Sequence, residues 1–349
     1  MSLKRRFTAA TSHIESQRPS FSSKSSSPRA SSIASNPASI RLSLESPPLV
    51  CYGNPKDSTG ALLSGLIHLD VLPANLTIDS FNIVLLAEAF TRRPITAHCP
   101  NCNMRSEEIH KWTIISEPVV LAQGTSSYPF SYHIPGNLPA SNTNPLGRIR
   151  YSLQAMALSS EGDEIKFSQE LTISRSILPG PERHSVRIFP PTNLSAHLDL
   201  PHVAHIGGDF PLKIRLDGVV CPEKETRWRL RKISWRIDEF SQVISPSCPH
   251  HPSKLCGDGK GVLHEDVRIV GSGELKGGWK ADYGKDGRIE MELFPGIPAH
   301  SNAACDIDSP CGIKVSHNLV VEMIVAEEHV SYLNFSTISS TKGLKLILI

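Results

Sequence analysis

Hydrophobic residues recur at every second position through much of this chain, and that period decides what it can fold into. Ile149, Tyr151, Leu153 and Ala155 fall on one face of an extended segment, with Arg150, Ser152 and Gln154 on the other. Phe210, Leu212, Ile214 and Leu216 alternate in the same way with Lys213, Arg215 and Asp217. Val315, Leu319, Val321, Met323 and Val325 do so against Ser316, Asn318 and Glu322. Successive side chains of a strand point to opposite faces, so each run describes a half-buried antiparallel strand. No long amphipathic stretch with helical spacing competes with them. Turn chemistry separates the runs at Pro135-Gly136-Asn137, Glu161-Gly162-Asp163, Gly207-Gly208-Asp209 and Lys285-Asp286-Gly287. Many strands with frequent turns predict an all-β chain of two tandem immunoglobulin-like β-sandwiches.

The boundary between them is expected at Leu178-Pro179-Gly180-Pro181, because two prolines around a glycine cannot continue a central strand. The first sandwich is placed at residues 40–178 and the second at 186–330. Residues 1–39 are rich in Ser with scattered basic residues and Pro, too polar to offset their ordering entropy, and are expected to form a disordered arm. The last stretch, 331–349, closes on Leu344-Lys345-Leu346-Ile347-Leu348-Ile349 and is expected to be irregular, or the stump of a domain that continues in a longer gene product.

Composition narrows the function. The formal net charge of +2 lacks the basic excess of a general nucleic-acid binder, so no nucleic acid is expected as partner. No apolar run approaches the ~18–20 residues that span a bilayer. The basic start at Lys4, Arg5 and Arg6 is followed by no apolar segment, which argues against a secretory signal. A cytoplasmic chain is expected, its eight cysteines reduced thiols or metal ligands rather than a disulfide framework. Gly271-Ser272-Gly273 has the wrong spacing for a dinucleotide fingerprint, His264-Glu265 is not the start of HExxH, and no GxSxG occurs. No enzyme is expected.

Three clusters remain. Cys99-x-x-Cys102 has zinc-knuckle spacing, with His98 and His110 close enough in sequence to complete four ligands; the alternative is two loop thiols with no metal. Cys248-x-x-His251 forms a second candidate structural zinc site with Cys305 and Cys311, Cys256 competing for a position. Arg227, Arg229 and Arg231 share one face of a strand and, with Lys232 and Arg236, form a positive stripe. That stripe suits acidic cytosolic tails of membrane proteins or anionic lipid heads; the alternative is a solvated face paired with acids such as Glu223, Glu225 and Asp238.

Two stretches carry a resemblance. His110 to Glu117, then Tyr128 to Ala140 (YPFSYHIPGNLPA), with Cys99-x-x-Cys102 just before, resemble the fungal α-arrestins, the arrestin-related trafficking adaptors, and within them the Ldb19-type branch. Trp228 to Ile237 and Lys314 to Glu328 are similar to the second arrestin domain of that family. The resemblance covers about residues 40–330 and implies two arrestin-like sandwiches. It further implies an adaptor that links plasma-membrane transporters to a HECT ubiquitin ligase of the Nedd4/Rsp5 kind, acting from the cytoplasm at the plasma membrane, Golgi or endosomes. The family recruits its ligase through PPxY motifs, and these 349 residues hold none: Pro47-Pro48-Leu49-Val50 lacks the tyrosine. A scaffold of membrane-trafficking coats, stabilised by structural zinc and independent of the ligase, is the second reading.

Overall fold

The alternation is realised as strands almost throughout. The computed structural model describes residues 37–97, 99–245, 250, 261–284, 287–330 and 336–348. The first half contributes β1 (Ala38–Leu44), β2 (Leu49–Tyr52), β3 (Ala61–Thr91), β4 (Met104–Ile115), β5 (Val119–Ile134), β6 (Asn142–Thr143), β7 (Gly147–Ser159), β8 (Glu164–Leu171) and β9 (Ile173–Ser176). The second contributes β10 (Arg183–Ile188), β11 (Ser195–Leu200), β12 (Leu212–Asp217), β13 (Val220–Cys221), β14 (Thr226–Ser245) and β15 (Val262–Leu275). It is completed by β16 (Lys280–Asp282), β17 (Arg288–Leu293), β18 (Ile307–Asp308), β19 (Ile313–Val330) and β20 (Ser336–Leu348). The α-helix among the described residues, α1 (Pro100–Asn103), is a single turn. No helix among them is long and apolar enough to cross a membrane.

The first sandwich is organised by β3. Its first half pairs with β1 and β5, and its second half with β4 and β7, all antiparallel. Pairing with β5 breaks between Val71 and Asn75, where Pro73 lacks a ladder donor. The strand therefore bends there and carries its inward side chains around one core. Ile67, Leu69, Ile78, Phe81, Ile83 and Leu85 are fully buried in that core, opposite Ile149, Tyr151, Leu153 and Ala155 of β7. Each such side chain contributes about 1.5–3 kcal/mol by leaving water. β2 and β9 form a separate parallel pair.

The second sandwich sets the sheet β10-β11-β12-β17-β16 against a sheet built on β14 and β19, with β13, β15, β18 and β20 beside them. Leu212, Ile214 and Leu216 of β12 meet Trp228, Leu230, Ile233, Val321, Met323 and Val325 in its core. The ending differs from the irregular stretch expected for residues 331–349: Ser336–Leu348 is β20, antiparallel to β19 along most of that strand's length. Its alternation was hidden by a short window of consecutive apolar residues, and Leu344 is buried in the second core.

The two cores are not cleanly divided at the proline linker. Val243 near the end of β14 and Ile313 at the start of β19 are buried in the first core, although both strands belong to the second sandwich. They sit against Gly147, where an added Cβ would lie 3.5 Å from Ile313 and 3.6 Å from Val243. Ile313→Ala is accordingly expected to cost about 2–5 kcal/mol, the range for truncating a buried isoleucine, in denaturant unfolding followed by circular dichroism. A loss below about 1 kcal/mol, the level of a surface substitution, would mean that the second sandwich does not brace the first core.

Candidate binding surface and cysteine sites

The basic stripe is created by what β14 buries. Trp228 and Leu230 point into the second core, and the Trp228 Nε1 donates to Asn193 Oδ1 at 3.1 Å. Alternation then turns Arg227 and Arg229 outward, and a register shift between Leu230 and Lys232 makes Arg231 the extra residue of a bulge. All three guanidinium groups converge on Glu328 of β19, directly across the ladder from Arg227. Arg231 Nη2 lies 2.8 Å from it, Arg227 Nη2 3.1 Å and Arg229 Nη1 3.8 Å. The Glu328 side chain is only 2% exposed, whereas that of Arg229 is 52% exposed. Among the ion pairs of the described residues the three guanidinium groups share this one carboxylate, which offsets their charge only in part.

Tyr283 flanks it, with the Arg227 guanidinium 5.0 Å from the ring centroid. Burial pushes the Tyr283 hydroxyl above its ordinary pKa, against the pull of the three arginines. Lys232 and Arg236 do not extend the stripe. Lys232 is ion-paired with Glu274, and Arg236 with Asp238 and Glu322. Both pairs border an open cavity of about 330 Å³ beside Trp235. Glu223 and Glu225, expected as neutralising acids, are replaced in that role by Glu328, a hundred residues along the chain.

The cysteine clusters come out differently from their sequence grouping. Cys99 immediately precedes α1 and Cys102 lies within it, and the amides of Cys102 and Asn103 both donate to the Cys99 carbonyl at 3.1 Å. His98 lies outside the described residues. His110 is not brought to the pair. It stacks on Tyr132 with ring centroids 4.3 Å apart and meets Trp112 edge-on at 4.6 Å. It pairs with Leu85, whereas Met104, next to the cysteine turn, pairs with Phe90; that separation along β4 is about 20 Å. Of the second cluster, Cys248, His251 and Cys256 lie outside the described residues. The Cys311 thiol lies 2.8 Å from Ser309 Oγ, and the Cys305 carbonyl accepts a bond from Asn142 of the first sandwich at 3.2 Å. Among the described residues no three His, Cys, Asp or Glu side chains gather as a metal site.

Sequence reasoning missed one buried polar network. Glu239 of β14 is fully buried; it accepts bonds from Arg268 Nε at 2.7 Å and the Ala304 amide at 2.8 Å, and lies 3.4 Å from His317 Nε2. The other imidazole nitrogen of His317 is 2.6 Å from Asp306, and Arg268 Nη2 donates to the Asn302 carbonyl at 2.8 Å. The segment from Asn302 to Asp306 is thus held by charge against the second sandwich. Burial alone would raise the Glu239 pKa, but the neighbouring His317 imidazole and the bonds from Arg268 and the Ala304 amide hold it at about 2. Burial alone would lower that of His317, yet its bond to Asp306 and the nearby Glu239 carboxylate raise it to about 9.

A family profile described as LDB19, arrestin N-terminal-like, matches residues 81–255. An uncharacterised protein of Schizosaccharomyces pombe is 35% identical over 293 residues, covering 83% of this chain and 76% of that protein. The protein LDB19 of Eremothecium gossypii is 28% identical, covering 86% of this chain, and that of Saccharomyces cerevisiae 24% identical, covering 85%. The chain spans 64% and 66% of the length of those two LDB19 proteins.

The His317 network makes a pH prediction. A group whose pKa is raised on folding stabilises below its unfolded value, near 6.5, and loses that contribution as pH rises through about 9. His317→Gln should therefore destabilise the chain at pH 7, by on the order of 2–3 kcal/mol, and by much less at pH 10. Urea midpoints of both proteins at the two pH values measure this, and an equal difference at both would rule out a charged His317.

Proposed function

The chain belongs to the LDB19 arrestin-N-terminal-like family, and from that premise we propose that it is a non-catalytic adaptor that binds acidic cytosolic tails of membrane transporters. In this reading it works in the cytoplasm, is recruited to the plasma membrane, Golgi or endosomes, and delivers its cargo to a HECT ubiquitin ligase of the Nedd4/Rsp5 kind for endocytosis. The ligase half of the reading rests on the family resemblance alone. The cargo half rests on one observation: Arg227, Arg229 and Arg231 share the single buried carboxylate of Glu328 and present their surplus charge to solvent.

Physical chemistry favours an acidic peptide for such a cluster. Guanidinium groups bind carboxylates through paired N–H donors, and Arg229, the most exposed and the least engaged with Glu328, is free to supply them. Attraction of this kind weakens with salt, because the cluster faces water and the screening length falls to about 8 Å at physiological ionic strength.

The test is fluorescence anisotropy with an Asp/Glu-rich transporter-tail peptide and its Asn/Gln counterpart. The acidic peptide should bind more tightly, its affinity should fall with salt, and Arg229→Glu should weaken it by about tenfold or more, or about 1.4 kcal/mol. Equal binding of both peptides, or no effect of Arg229→Glu, would remove this surface from the cargo reading. Vesicles containing phosphatidylserine, tested in parallel, separate a lipid surface from a peptide as the preferred anion.

A further inference from the structure

β15 runs 14 residues and pairs along one side, with β14. Among the described residues no strand pairs with its other side, and no turn or loop backbone hydrogen-bonds to it. Such an edge offers its N–H and C=O groups to any extended chain, and sheets blunt it with prolines, lysines or short strands. The other outer strands of the second sandwich carry those devices. β13, β16 and β18 run only two or three residues, β10 lies between Pro181 and Pro190, and β20 holds Lys342 and Lys345. β15 contains neither proline nor lysine.

Its outward face is apolar as well. Val267 and Ile269 are 57% and 61% exposed, and Leu263 is exposed on the same face. Phe240 of β14 lies directly across the ladder from Val267, and Ile244 across from Leu263. Burial of Glu239 and Ser241 explains this side of β14, since the alternation that turns them inward turns Phe240 outward. The register shift between Ile237 and Asp238 re-aims the strand beyond Ile269, so the regular edge is Val262 to Ile269.

The sequence of that edge says what fits it. Two copies of one strand can pair antiparallel about a two-fold axis, each residue meeting the one equally far beyond the axis. Centred on Glu265, Asp266 or Arg268, the pairing sets a charge against its own kind, which destabilises it. Centred on Val267, it sets Val267 against Val267 and, twice over, Asp266 against Arg268 and Glu265 against Ile269. We propose that the chain forms a two-fold dimer through β15, with Val267 on the axis and the β14–β15 sheets of both copies joined into one. On the outward face, Phe240 and Val267 of each copy then form a single apolar row across four strands about 4.8 Å apart, with both Ile269 side chains beside it. On the inward face, Asp266 of each copy comes opposite Arg268 of the other, adding a carboxylate beside a guanidinium already held by Glu239.

The experiment is sedimentation of the whole chain over a concentration series. The mass should rise toward twice that of the monomer. Val267→Lys, which sets two like charges on the axis, should hold it at the monomer value throughout. Val267 is exposed, so this variant is expected to keep the circular dichroism of the unmutated chain. Should it unfold, hydrogen exchange on the unmutated chain decides, the amides of residues 265–269 gaining protection as concentration rises. A dimer that survives Val267→Lys, or exchange along β15 that ignores concentration, would overturn the proposal. So would a monomer at the highest concentration, which would leave the edge to an extended peptide of another protein.

Discussion

The pairing of β14 with β19 is the interaction on which the rest of the molecule depends. The two strands run 20 and 18 residues and stay paired along nearly their whole length, with one register shift at Arg231, a ribbon of about 60 Å. One end holds Glu328 beneath the arginine cluster. The middle holds Glu239 and His317, which face each other across the ladder and secure the segment from Asn302 to Asp306. The far end places Val243 and Ile313 in the core of the first sandwich. A change in the register of this ribbon would disturb the binding surface, the buried network and the contact between the sandwiches together. A register slip of one residue would also turn every arginine inward and every core residue out, so the hydrophobic pattern of both strands fixes the geometry of the charged one.

The segment that most clearly marks the family does structural work. Arg175 of β9 donates to the carbonyls of Gly53, Gly136 and Leu138 at 2.6–2.9 Å, and the buried Tyr151 hydroxyl donates to the Pro139 carbonyl. A side chain at position 136 would meet the Ser58 carbonyl at 2.1 Å, so only glycine fits. Gly136-Asn137-Leu138-Pro139 is therefore a corner pinned from two strands, and the adjoining Asn142 reaches the Cys305 carbonyl in the second sandwich. Recognition of the family through this corner identifies the scaffold. The surface that would meet a partner lies elsewhere, on β14.

Much of this was legible in the chain because strand alternation is local. Ile149, Tyr151, Leu153 and Ala155 are buried as their spacing requires, and so are Leu212, Ile214 and Leu216. The arginines were legible for the same reason, since Trp228 and Leu230 must turn inward. Their partner was not: Glu328 reaches them only through the β14–β19 ladder, and nothing near Arg227 in sequence marks it. The Glu239 network was hidden in the same way, its members spread along the chain from Glu239 to His317. His110 failed as a ligand because proximity in sequence to Cys102 becomes distance along an extended strand.

Charge buried between strands also explains why the two sandwiches are coupled although a proline linker separates them in sequence. Glu239 is stable as an anion only while Arg268, His317 and the Ala304 amide surround it, and removing one partner leaves a buried charge without compensation. The same partners hold the segment whose Cys305 carbonyl meets Asn142. Loosening of the network would thus release a contact between sandwiches as well as a loop. The apolar bridge at Val243 and Ile313 acts in parallel, non-directional where the network is directional. Two unlike interactions with the same consequence make the relative placement of the sandwiches a property of the fold rather than of the linker.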